Sequence, residues 1–186
     1  MPWMESQVIS NLLIYEDELF HSTPAPISRI SSLEDAAVAK QIVTEALLFD
    51  LTEKTTGSAS SPRWAEDLTW YGPVGFGTAT NKREYEETFI AAIRGALSER
   101  EVHLDILTCE GTYCGAHGYL YGVNTGDFLG EAASNQHVRL RFGLHYRVDV
   151  AQGLIPEGYA LFDLPGFFIQ NGVDLYERMN DPAYLI

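Results

Sequence analysis

The chain has 186 residues, 46% hydrophobic and 20% charged, which suits one globular domain with a sizeable core. Twelve Lys and Arg against 26 Asp and Glu give a net charge of −14, which repels phosphate backbones and anionic lipid, so neither nucleic acid nor membrane is expected as a partner. No apolar run approaches the roughly 20 residues that span a bilayer, and MPWMESQV lacks the basic region and apolar stretch of a signal peptide, so the cytoplasm is the expected compartment.

Residues 1–30 read as an N-terminal extension, with a short apolar stretch from Val8 to Leu13 and a loop-like piece around Pro24 and Pro26. The domain is expected over 31–175, with 176–186 as a polar tail. Ser31-Ser32-Leu33-Glu34 has capping-box spacing. It precedes a helical pattern to about Lys54, in which Ala39, Ile42, Val43, Ala46, Leu47 and Phe49 make a broad apolar face. A small polar loop, Thr55 to Pro62, leads into a segment dense in aromatic and glycine residues, Trp64 to Thr80. Asn81-Lys82-Arg83-Glu84 caps a second helix whose stripe is Tyr85, Phe89, Ile93, Ala96 and Leu97.

From Glu101 the period changes to two. Strands are expected near 101–110, 112–123, 137–150 and 154–163, with turns at Glu110-Gly111, Gly126 to Asn135 and Asp149 to Gly153. Leu164 to Gly172 predicts a last turn of helix. Helices followed by consecutive long strands predict an α+β fold with an antiparallel sheet. Cys109 and Cys114, five apart in one extended segment, are expected on opposite strand faces and unpaired, which fits a reducing compartment.

Phosphate-loop, dinucleotide, nucleophile-elbow and paired-cysteine zinc motifs are missing, so no cofactor is expected. The histidines, His21, His103, His117, His137 and His145, show no metal-ligand spacing along the chain. A metal site would need convergence across strands, and none is expected.

Four segments carry a resemblance. Gly122-Val123-Asn124-Thr125-Gly126-Asp127-Phe128-Leu129-Gly130 resembles the GxHxGxxxG segment of SnoaL-like polyketide cyclases, ester cyclases of the nuclear transport factor 2-like superfamily. Tyr146-Arg147-Val148 resembles the strand that follows it. Glu157 to Asp163 and Gln170-Asn171-Gly172 resemble the family's closing strand and helix, and Asp67 to Pro73 its opening. The similarity covers roughly 35–175, in the same order. It implies a cone: a strongly curved sheet with helices closing an apolar pocket, forming a homodimer through the sheet. It also implies acid–base chemistry on a small, largely apolar or aromatic carbonyl compound, in which a carboxylate removes a proton and a donor steadies the enolate. The family's His and Asp positions fall here on Asn124, Leu144 and Ala160, so the cyclase pair is not retained.

That leaves Asp163 as the candidate base or else a helix cap, and His117, in Gly115-Ala116-His117-Gly118, as a second acid–base candidate. Asn124 is either a ligand contact or the holder of its own turn. Trp64, Trp70, Tyr71 and Phe76, with Leu144 and Ala160, are expected as pocket wall or core. Arg139, Arg141 and Arg147 fall on the outer strand face, and His145 with them. The alternative reading is a non-catalytic binding or dimerising module of the same fold.

Overall fold

The computed structural model describes residues 33–53 and 57–180. The expected extension and the capping box at Ser31 therefore lie outside the described residues. The first element, α1 (Leu33–Thr52), buries Ala39, Ile42, Val43, Ala46, Leu47 and Leu51, one stripe at helical spacing. Asp50 falls on that same stripe and is buried with it. Full burial of each large aliphatic side chain contributes roughly 1.5–3 kcal/mol, enough to hold the helix against the sheet.

Strand β1 (Trp64–Tyr71) and the short β2 (Thr78–Ala79) follow. Asn81 caps α2 (Lys82–Tyr85) by accepting from the Glu84 N–H at 2.9 Å, and Glu84 reaches back to accept from the Thr80 N–H. The Asn81 cap is the one expected, while the return bond from Glu84 reaches Thr80, one residue before the N-cap, and not the N-cap N–H of a regular capping box. The helix passes through a π turn (Glu86–Ile90) into α3 (Ala91–Ala96). Four long strands come next: β3 (Leu97–Glu110), β4 (Tyr113–Asn124), β5 (His137–Asp149) and β6 (Leu154–Phe162). Two short helices, α4 (Leu164–Gln170) and α5 (Leu175–Asn180), complete the described chain.

The six strands form one sheet in the order β2-β1-β6-β5-β4-β3. The expected α+β class holds, with two corrections. The sheet is mixed, because β1 runs parallel to β6 while the other pairs are antiparallel. Hairpins can place only consecutive strands antiparallel. Strands β1 and β6 are joined through all the intervening chain, which leaves their relative direction free. The sheet is also open, with β2 and β3 as its two edges. Register shifts in β1, β3 and β5 mark the points where added twist bends it.

Alternation sets the two faces. Along β4 and β5, Cys114, Ala116, Leu120, Leu140, Phe142, Leu144, Tyr146 and Val148 are buried under the helices. His117, Tyr121, Arg139, Arg141 and His145 are exposed on the other face. The cysteines are a third correction. Cys109 on β3 and Cys114 on β4 are direct cross-strand partners, with Cα atoms 4.1 Å apart, and form a disulfide. The expectation of opposite faces holds only along a single strand, and the Glu110-Gly111 turn, itself expected, puts the two on paired strands (Gly111 φ 60°). Facing residues of an antiparallel pair lie within disulfide reach. The pairing also removes the support that unpaired cysteines gave to a reducing compartment. Among the described residues, no helix is long and apolar enough to cross a membrane.

Candidate functional site in the concave face

Between α1 and the sheet sits an aromatic cluster in continuous ring contact. Trp64 lies 4.8 Å from Tyr85 and 5.9 Å from Tyr146, and Trp70 lies 4.7 Å from Phe89. Phe76, on the loop after β1, packs edge-on against Trp70 and Phe89. The glycines at 75 and 77 have φ of 100° and 71°, which lets that loop turn Phe76 inward. These rings fill most of the concave space, and the remaining cavity is about 10 Å³, room for about one water molecule. The expected small-molecule pocket is thus corrected to a narrow slot, because the aromatic side chains themselves fill the concave space.

One carboxylate enters this slot. Asp50 is 4% exposed and accepts three hydrogen bonds: from the Ser61 N–H at 2.7 Å, the Trp64 indole N–H at 2.7 Å and the Tyr85 hydroxyl at 2.9 Å. Burial dominates its titration and raises its pKa from 3.8 to about 6, against the opposing pull of Trp64, Ser61, Tyr85 and the Arg94 charge. Tyr146 lines the same cavity. Burial, reinforced by the Asp50 charge, raises its hydroxyl well above the usual phenol range, so it stays protonated at neutral pH. No hydrogen bond to the Tyr146 hydroxyl is present among the described residues. The slot therefore holds an ionisable acceptor and a donor with bonding capacity left, inside apolar walls.

The end of α1 is built around this carboxylate. Asp50 stands in the last turn, where the helix dipole disfavours negative charge. Arg94 donates to the carbonyls of Phe49, Gly57 and Ala59, and Arg100 to those of Leu51, Glu53 and Leu97. Two guanidiniums thus close the carbonyl end of the helix, and the Arg94 charge acts on Asp50. A wider cleft of about 600 Å³ lies between this helix end and the start of β3. Its arginines are those same two, already engaged with backbone, so the smaller slot carries the more distinctive chemistry.

Other residues singled out in the sequence sit as follows. Trp64, Trp70 and Leu144 line the slot, and Ala160 is buried opposite Leu144 on β6. Phe76 is half-buried at its aromatic wall. Tyr71 instead lies on the outer face, 39% exposed and stacked on Tyr159 at 4.6 Å. Its place in a pocket wall is corrected by strand alternation, since its neighbour Trp70 takes the inward position. Asn124 is buried and donates to the carbonyls of Ala96 and Gly126 while accepting from the Ser134 N–H. Its amide holds the β4–β5 connection.

Asp163 is exposed and accepts from the Gly166 N–H at 3.0 Å as the N-cap of α4. His117 is exposed on the outer face, because Ala116 and Gly118 take the inward positions of β4. The two do not share a cavity. The group missed in the sequence is Asp50, although its signal was there: a single acid three and four residues after Leu47 and Ala46, on an otherwise apolar stripe. Among the described residues, no group of three or more His, Cys, Asp and Glu side chains is placed to hold a metal ion.

The chain has the nuclear transport factor 2-like fold, also described as ketosteroid isomerase-like. A protein assigned to the SnoaL-like polyketide cyclases, from Jannaschia sp. CCS1, matches 77% of this chain and 98% of its own at 16% identity, with a TM-score of 0.62. A nuclear transport factor 2-like protein from Burkholderia thailandensis matches 73% and 97% at 18% identity, with a TM-score of 0.56. A ketosteroid isomerase-like protein from Catenulispora acidiphila, solved with trimethylamine, matches 72% and 93% at 15% identity, with a TM-score of 0.55. SnoaL-like proteins are thus among those that share this fold, as the motif resemblance implied. No protein-family model matches the chain, and no curated protein shows significant sequence similarity to it.

Proposed function

We propose that this chain is a SnoaL-like protein that binds a small, largely apolar carbonyl compound in its concave face and moves a proton on it. Asp50 is the base and Tyr146 the donor to the carbonyl oxygen. The observation that carries this reading is the pairing of a buried carboxylate with a pKa of about 6 and a protonated, unbonded phenol at one cavity. Asp50 in its ionised form takes a proton from the carbon next to the carbonyl. The electron pair moves onto the carbonyl oxygen, where the Tyr146 hydroxyl stabilises the enolate, and the proton returns from Asp50 to carbon. Asp163 and His117, the earlier candidates, are replaced in these roles because neither meets the slot. A ligand of that size requires Phe76 to swing outward on its glycine loop.

The test is exchange of ketone α-protons for deuterium, using a panel of small alkyl and aryl ketones in heavy water. The expected result is catalysed exchange that rises with pH through about 6 as Asp50 ionises. Asp50→Asn should reduce it by about 10²–10⁴-fold, and Tyr146→Phe by about 10²-fold or more. Exchange unchanged in Asp50→Asn overturns the assignment of the base.

A second reading, a non-catalytic binding module, is favoured by the three donors already on Asp50, which leave its carboxylate little free capacity. Ketone binding seen by calorimetry without any exchange would establish it. Pairing of two chains through the outer sheet face belongs to either reading and is supported by exposed Ile106, Tyr121 and Leu161. Sedimentation of Ile106→Glu against wild type tests it.

A further inference from the structure

On the outer face of the sheet meet two imidazoles that have no metal-ligand spacing along the chain. His117 on β4 faces Gly143 of β5, and His145 on β5 faces Gly115 of β4, so the two histidines are diagonal neighbours across one strand pair. Diagonal positions are within reach of ring side chains. Here the two glycines make room for the approach. A Cβ at Gly143 would stand 3.3 Å from the His117 ring, and one at Gly115 would stand 3.5 Å from the His145 ring. Each imidazole therefore lies over bare backbone and leans toward the other, with ring centroids 6.1 Å apart and edges turned face-on. Both histidines are exposed, and neither has a hydrogen bond or carboxylate partner among the described residues.

We propose that His117 and His145 form a two-imidazole binding site for a borderline transition-metal dication, zinc, cobalt or nickel, with water completing its coordination. Two rings bound to one such ion at its usual nitrogen distance have centroids about 5–6 Å apart. The observed separation is close to this, and exposed rings can rotate to aim their nitrogens at one point. Neutral imidazole is the ligand type these ions prefer over carbonyl or water. The chain's net charge of −14 raises the local concentration of cations at its surface. Glycine at position 143 is the tighter of the two requirements. A side chain at Gly143 would crowd the His117 ring, while a Cβ at Gly115 would only touch the His145 ring at ordinary contact distance. This site is separate from the slot beneath α1 and stands or falls independently of the reaction proposed there; it shares its face with Ile106, which pairs with His117, and Leu161, which pairs with Gly143, so it belongs to the chain whose outer face is uncovered.

The experiment is calorimetric titration of the untagged full chain with Zn²⁺ and with Co²⁺. The wild type is expected to bind one ion saturably. His117→Ala and His145→Ala should each weaken binding by at least about tenfold, because either change removes the chelate. His137→Ala, an exposed histidine on the same strand and face, should leave binding unchanged. Histidine NMR signals provide a check that does not depend on affinity: Zn²⁺ should shift His117 and His145 together. The absence of saturable binding by the wild type overturns the proposal. So does equal binding by the wild type and both single variants, or a loss in His137→Ala as large as theirs. Unchanged thermal unfolding of the variants without metal shows that the fold is retained.

Discussion

Asp50 carries opposite demands in one side chain. Its three hydrogen bonds tie α1 to the start of β1 and to α2, yet its burial penalises the charge that attracts those donors. The folded-state pKa of about 6 lies above the ordinary 3.8, so the folded protein holds this proton more tightly than the unfolded chain does. Stability from this group is therefore complete below about pH 4 and is lost as pH rises through about 6. The loss across that window is on the order of 3 kcal/mol. Urea midpoints from pH 4 to 8 should show it as a fall in wild-type stability relative to Asp50→Asn, whose side chain does not titrate. Parallel pH profiles for the two proteins would contradict the shift. At the other end of the sheet, Asp163 caps α4, and Asp163→Ala should cost about 1 kcal/mol of stability. It should leave any ketone exchange at wild-type level, which separates the cap from a base.

At the scale of elements, the start of β3 departs from regular strand geometry. Glu99 sits in the left-handed region at φ 50°, inside the register shift between Ser98 and Glu101. Its side chain is exposed, so nothing in the core requires a large residue there. Glu99→Gly should therefore raise stability by up to about 1 kcal/mol, read from the thermal midpoint. Just beyond it, Arg100 closes the carbonyl end of α1 and is itself made less basic, first by burial and then by the Arg94 charge. Arg100→Met keeps the length of the stem but abandons those carbonyls, and the expected cost is about 2–3 kcal/mol. The β3–β4 hairpin is closed by the Cys109–Cys114 disulfide. Its loop is short, so reduction should lower stability by only about 2 kcal/mol, measured with and without a phosphine reductant. Cys114 pairs across the sheet with Tyr146, so the same experiment shows whether the slot depends on the hairpin's closure.

For the whole molecule, much of the architecture was legible because periodicity reports burial. The stripe of α1, the Asn81 cap and the four long strands follow from patterns of 3.6 and 2 that need no tertiary information. The same alternation placed Arg139 and Arg141 outward and Leu140 and Phe142 inward. It failed where the fold, and not the local pattern, sets the outcome. Tyr71 looked like pocket wall as one of a run of aromatics, yet its strand turns it outward against Tyr159. Cys109 and Cys114 are a different case: the Glu110-Gly111 turn between them is legible in the sequence, and it alone makes them cross-strand partners. The parallel pairing of β1 with β6 joins segments some 90 residues apart, and no local signal encodes it.

The sequence by itself determined the two main helical segments, the four long strands, the sidedness of β5 and the resemblance that implied a curved sheet beneath helices. Each of these depends on which side chains are apolar and at what spacing, and spacing is written in the chain. Only the tertiary structure decided which polar groups share a space. It brought Asp50 of α1, Tyr85 of α2 and Tyr146 of β5 to one slot, and His117 and His145 to one patch on the opposite face. It also moved Asp163 and His117 out of the cavity where their chemistry had suggested a place. The physical reason is that a carboxylate's or imidazole's role depends on its neighbours and its distance from water, and both are set by contacts between segments remote in sequence.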